Sequence, residues 1–261
     1  MKIGVCGWID KAEVAGKCGF DYIEPSFKNL ALSENEQYDA FKNALYENCL
    51  GCEAANGFLP PETKIVGVNT DYNSLKEYLT KGYKRAYELG VKTVVLGSGG
   101  ARQIPRNYPY KSAIKDVVRF VRDYAAPIAG DYGINFVFEP LCRYETNLIN
   151  TVKEGAMLAS AIDMPNVGCL GDIYHMYVEG DTYDDIRELK GILMHAHISN
   201  PVSERPDMKR CYMKNTDEYD YKGFIDALKF AGCDRVSIEA DTKDFNADAP
   251  AAYKVLKQLC K

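Results

Sequence analysis

Acidic side chains and histidines recur at the ends of short apolar runs in this 261-residue chain: Glu24 in DYIE, Glu139 in FVFEP, Asp172 in GCLGD, His197 in HAHIS and Glu239 in VSIEA. Ionisable groups are costly inside strands, so their common place at strand ends is informative. In a parallel barrel all strand C-termini meet at one rim, where Glu139, Asp172, His197 and Glu239 become neighbours although far apart in sequence. Three carboxylates that close repel one another unless a cation lies among them. Such a hard-to-borderline donor set suits one divalent ion, Mn2+ first and Mg2+, Co2+ or Fe2+ as alternatives, better than a cysteine-bound structural zinc. A hydroxy-ketone would complete the shell. His195 and His197 share one strand face, because strand side chains alternate. His197 is the favoured ligand since it lies nearer the strand end, with His195 as a supporting hydrogen-bond partner.

The elements that must position these groups are legible as a repeat. Helical patterns end in Gly19, Gly51, Gly90, Gly133, Gly191 and Gly232, each followed at once by a strand-like run. Those six runs, FDYIE, CEAAN, VKTVVLGS, INFVFEP, ILMHAHIS and CDRVSIEA, join the opening KIGVCG and VGCLGD to make eight strands. The clearest helices span Tyr72 to Leu89, Tyr110 to Ala129, Thr151 to Ile162 and Tyr221 to Ala231, with apolar residues three and four apart. A unit of about 33 residues is a usual βα length, and strands apolar on both faces suit a parallel sheet covered by helices. The expectation is a single (β/α)8 TIM barrel over residues 1–261, an open doubly wound sheet being the other arrangement these elements allow. The long irregular stretches, Gly57 to Asp71, Gly99 to Pro109 and Ser199 to Thr216, all follow strands, on the face where barrels carry their sites.

A net charge of -5 argues against a phosphate-backbone partner, so nucleic acid is not expected. No apolar run approaches the roughly 20 residues of a membrane helix, and the start MKIGVCGWID lacks a signal peptide's apolar stretch. The cytoplasm is the expected location and no membrane partner is expected. Nine scattered cysteines read as reduced core residues, and the Cys49-x-x-Cys52 pair as packing.

The chain resembles the xylose isomerase-like barrels, especially their ketose 3-epimerase and hydroxypyruvate isomerase group. FEPLCRYETN resembles that group's metal-binding Glu followed by Arg-aromatic-Glu-x-Asn; GDIYHMYVEG, its metal-binding Asp with His three residues on; HAHIS, its metal-binding His; and LGSGGAR, its fourth-strand loop. The resemblance implies metal ligands Glu139, Asp172, His197 and Glu239, with Glu139 and Glu239 also serving as acid and base. It implies that Glu145 and His175 contact substrate hydroxyls. The group follows its His with an acid and then an Arg about six positions on; here Asn200 stands in the acid's place and Arg205 lies eight positions on, as the candidate substrate arginine. Related enzymes are often dimers or tetramers, so a homo-oligomer is implied.

The chemistry that follows is metal-dependent isomerisation or epimerisation of a sugar, sugar phosphate or keto-acid by proton transfer through a cis-enediolate. The small-molecule sugar is the expected partner. Two further residues enter as substrate contacts: Trp8, an apolar wall after the first strand, and Arg102 after GSGG, each with simple packing or a loop salt bridge as its other reading. The same proton abstraction would serve a lyase, dehydratase or C-glycoside-cleaving enzyme. A nuclease like endonuclease IV needs a histidine-rich zinc cluster, for which three histidines are too few. A sugar-binding protein without turnover would leave the acid and base positions without a purpose.

Overall fold

The computed structural model describes residues 1–67, 70–202 and 209–261. Eight strands form in chain order: β1 Lys2–Cys6, β2 Tyr22–Glu24, β3 Ala54–Ala55, β4 Thr93–Leu96, β5 Asn135–Phe138, β6 Val167–Asp172, β7 Leu193–Ile198 and β8 Arg235–Ile238. All pair in parallel in the order β2-β1-β8-β7-β6-β5-β4-β3. Two parallel bridges, Tyr22 to Gly51 and Ser26 to Asn56, draw β2 and β3 together and nearly close the ring. The expected (β/α)8 barrel is therefore the architecture observed, with every predicted strand in place.

The predicted helices also form, two of them with the expected bounds, Tyr72–Leu89 and Tyr221–Ala231. Thr151 lies just outside helix Val152–Ile162 and caps it, accepting from Glu154 N, while the Glu154 side chain reaches back in a capping box. The expected helix from Tyr110 to Ala129 is continuous but not uniform. It runs α-helically over Tyr110–Phe120, widens into a π turn at Val121–Ala125 and resumes over Ala126–Asp131. Pro127 sits at the start of the last segment and has no N–H to give to the turn before it, which accounts for the widening. At the joint before β3 the left-handed residue is Cys49, φ 54°, whereas Gly51 is not left-handed.

Strand alternation fills the barrel in layers. At the N-terminal end Lys2 and Arg235 both pair with Glu53. Above them, Tyr22 crosses the barrel and shares a hydrogen bond with Ser237 Oγ at 2.8 Å. Gly4 makes room for that ring, because a Cβ there would lie 2.2 Å from it. Val95, Val137 and Leu170 pack together, all fully buried. The top layer is polar. Among the described residues no helix is long and apolar enough to cross a membrane.

Candidate metal centre

Four consecutive strands of the ring, β5 to β8, each deliver one group to the top layer. Glu139 and Glu239 are the residues that follow β5 and β8; their main-chain N–H groups still extend the sheet, donating to Leu96 O and Ile198 O at 3.1 Å each. Asp172 ends β6 and is paired in register with His197 of β7. One ligand atom from each of Glu139, Asp172, His197 and Glu239 lies within 4.8 Å of the others. His197 Nδ1 is 3.0 Å from Glu139 Oε1, 2.9 Å from Glu239 Oε2 and 3.7 Å from Asp172 Oδ2. The four groups expected from sequence are thus brought together, with the two glutamates at the ends of the arc.

His195 is not part of that cluster. Its Nε2 lies 2.8 Å from Glu24 Oε2, and the other oxygen of Glu24 lies 2.9 Å from His197 Nε2. One fully buried carboxylate therefore holds two imidazoles. This leaves His197 Nδ1 facing the acids, the orientation a ligand requires. Glu24 was visible in the sequence as a strand-end acid, but nothing there paired it with the histidines.

The electrostatics follow from burial and charge. Burial raises the Glu139 pKa, and repulsion from Glu239 adds to the rise. Burial pushes Glu239 the same way but is outweighed by Arg210 and His197, which hold it well below the usual carboxylate range. For His197 the burial penalty is outweighed by Glu24, Glu239 and Glu139, so its pKa is raised well above the ordinary value. Burial dominates at His195 and lowers its pKa.

Arg210 is the residue that sequence reading missed. Its guanidinium spans Asp172 Oδ2 at 2.6 Å and Glu239 Oε2 at 3.1 Å, and lies over the Tyr174 ring. The loop after β7 folds back through paired hydrogen bonds between Asn200 and Cys211, which carries Arg210 over the mouth. Main-chain pairing of that kind leaves no trace in residue type. Arg205, the arginine expected there, lies outside the described residues.

A chamber of about 310 Å3 opens above the acids, lined by Glu139, Glu145, His175, Arg210 and Glu239 among others. His175 Nδ1 accepts from the Cys142 N–H at 3.1 Å, so in the neutral ring the proton is on Nε2, a buried atom with no partner among the described residues. Glu145 meets Lys209 Nζ at 2.8 Å. Arg102, expected at the substrate, is instead fully buried behind Glu139 and donates Nη2 to its main-chain oxygen at 2.6 Å. Burial lowers its pKa to about 10. Trp8 stacks on Phe41 at 3.9 Å and lines a neighbouring groove, away from the acids.

A divalent ion fits these residues. Glu239 Oε2 is buried and close to two cations, yet takes an aligned hydrogen bond from neither among the described residues. Three carboxylates and one imidazole nitrogen, once it gives up its proton, are the donors such an ion takes.

Residues 12–259 match the family described as "Xylose isomerase-like TIM barrel". D-psicose 3-epimerase of Ruminiclostridium cellulolyticum is 28% identical over 193 residues, covering 71% of this chain and 64% of that protein, just under two thirds of its length. 3-Dehydro-D-guloside 4-epimerase of Escherichia coli is 24% identical over 208 residues, 76% of each chain. The crystal structure of D-psicose 3-epimerase with D-tagatose from Clostridium cellulolyticum matches over 100% of both chains, with a TM-score of 0.80 at 22% identity. That structural likeness is one of fold.

Proposed function

Because the chain belongs to the xylose isomerase-like TIM-barrel family, we propose that its rim of acids serves a metal-dependent sugar epimerase acting on a ketose beside its carbonyl. The observation that carries the proposal is the arc itself: Glu139 and Glu239 end it, with Asp172 and His197 between them. Two carboxylates on opposite sides of one bound carbon are what inversion needs, one to take a proton and one to return it. The similarity to ketose 3-epimerases supports C3 as the reacting carbon.

Glu139, Asp172, His197 and Glu239 would hold the ion, Mn2+ as first choice with Mg2+, Co2+ or Fe2+ as alternatives. When bound, it supplies positive charge beside the carbonyl oxygen as the neighbouring C–H loses its proton. Glu239, at one end of the arc, is placed to remove that proton. Glu139, whose burial favours the protonated form, is suited to return one from the other side. His175 Nε2–H and Glu145 offer one donor and one acceptor to the substrate's hydroxyls, and Arg210 closes the chamber over the reacting end. Arg205 stays a candidate contact by its place in the sequence. A cytoplasmic homo-oligomer acting on a small sugar, with no nucleic-acid or membrane partner, completes the reading.

Incubation of C3 to C6 ketoses with Mn2+ in D2O tests the reaction. Deuterium should enter at C3 with no group released. Absence of exchange for every ketose would sink the epimerase reading, and release of a substituent would make the enzyme a lyase. Glu239→Gln should fold and lose the exchange. Elemental analysis should find about one equivalent of divalent metal in the protein and none in Asp172→Asn.

A further inference from the structure

Beside the chamber over the acids lies a second, larger cavity of about 750 Å3, against about 310 Å3 for the chamber. Lys28, Pro60 and Pro61 line both, so the two adjoin at these three residues. The outer groove is built by segments that follow β1, β2 and β3, and it therefore opens on the same face of the barrel as the acids. Its apolar lining is partly exposed: Trp8, Ile9, which is 40% exposed, and Leu32, which is 57% exposed, together with the two prolines. The polar part of its lining includes Lys28, Asn29, Gln37 and Glu62.

The chamber stands at the small end of the roughly 300–1,000 Å3 of small-molecule sites. One ketose with the water it keeps would fill it, and the groove is more than twice as large. Trp8, which has one face on Phe41, lines the groove together with hydrogen-bonding groups, and an aromatic ring beside such groups suits a pyranose, whose C–H groups pack on aromatics while its hydroxyls find polar partners. Lys28 stands where the two cavities meet. No ion pair or hydrogen bond engages its ammonium group among the described residues, which leaves three donors for hydroxyls at the junction.

We propose that the outer groove is a second sugar subsite, and that the substrate is a ketose extended by a glycosidically linked ring at the end remote from the carbonyl. The ketose lies over Glu139 and Glu239 and the second ring lies against Trp8. This assignment of substrate class rests on the epimerase reading, but the subsite is tested by binding alone.

Trp8 is the only tryptophan in the chain, so its emission, excited where tyrosine does not absorb, reports the outer groove directly. The probes are D-fructose, D-fructose 6-phosphate and isomaltulose, which share one ketose and differ in carrying nothing, a phosphate or a glucose ring on O6. Isomaltulose should shift Trp8 emission and bind at least tenfold more tightly than D-fructose. In Leu32→Asp, and independently in Ala40→Glu at another exposed position of the groove, the ratio of the two affinities should fall to near one.

Equal affinities for isomaltulose and D-fructose would overturn the subsite, as would a gain that survives both substitutions. A gain for D-fructose 6-phosphate that matches or exceeds that for isomaltulose would assign the junction to an anion and also overturn it. Deuterium exchange run in parallel separates the two readings. Tight isomaltulose binding without exchange in any sugar keeps the subsite and ends the epimerase reading. Exchange in D-fructose with no gain for isomaltulose does the reverse.

Discussion

A carboxylate that meets two imidazole nitrogens at once has both oxygens committed, which is the situation of Glu24 between His195 and His197. An amide in its place keeps the shape but offers one acceptor and one donor, so one imidazole must turn or lose its partner. Glu24→Gln is expected to fold and to bind Mn2+ roughly 10- to 100-fold more weakly, the usual cost of losing such a support; calorimetric titration with unchanged affinity would refute the role. At Gly97 the reasoning is steric. A Cβ there would stand 2.3 Å from Glu139 Oε2, the free end of a side chain that is able to swing away. Gly97→Ala should therefore cost little stability and lower exchange at C3 by at least tenfold, since the displaced group is the one proposed to return the proton. The same cluster links metal to protons. His197 is held protonated by Glu24, Glu239 and Glu139 against its burial, and must shed its Nδ1 proton to ligate. Mn2+ binding should release at least one proton near neutral pH and tighten as pH rises. Titrations in buffers of different ionisation heat measure that release, and a value of zero would contradict the assignment of His197.

Among elements, the strand-end acids were legible because burying an ionisable group is costly and rarely incidental. Their partners were not. Arg210 reaches the acids only because the loop after β7 pairs with itself at Asn200 and Cys211, and Arg102 turns away because its four-residue helix, Gly99–Arg102, faces behind Glu139. The π turn at Val121–Ala125 shows the same limit. Apolar spacing predicts a helix there, but one proline alters its hydrogen bonding without disturbing the pattern. A further element-level consequence concerns Asp181. Its Oδ2 accepts from Val152 N at 3.0 Å, at the start of helix Val152–Ile162, while burial raises its pKa to about 6. A raised carboxyl pKa means that the folded state holds the proton more tightly than the unfolded one. That contribution is therefore favourable at low pH and is lost as pH rises from about 4 to about 6. Asp181→Asn keeps the acceptor and removes the ionisation. The variant should be more stable above pH 6 by about 1 kcal/mol, a figure reduced for the group's partial exposure, and equal to the parent near pH 4. Melting temperatures at both pH values check this, and a difference independent of pH would argue against it.

For the whole molecule, repetition made the barrel readable: eight similar units state the architecture many times over, whereas each loop on the active face is stated once. The ring is nevertheless uneven. Neighbouring strands such as β4 and β5 pair over four residues, but β3 is two residues long and, among the described residues, is joined to the β2 segment through bridges at the flanking Gly51 and Asn56. A ring with one thin seam breathes there first. The amides that cross it, at Ile23, Phe27, Gly51 and Asn56, should exchange with solvent faster than those between β4 and β5, and hydrogen-exchange mass spectrometry reads the contrast. Asn56 also donates to Glu239 Oε1, so each opening of the seam loosens one end of the acid arc. The walls of the outer groove follow the two strands on either side of this gap, with Lys28 and Leu32 after β2 and Pro60 and Pro61 after β3. A molecule lodged between them would act as a clasp, so occupancy of the groove should slow exchange along the whole seam.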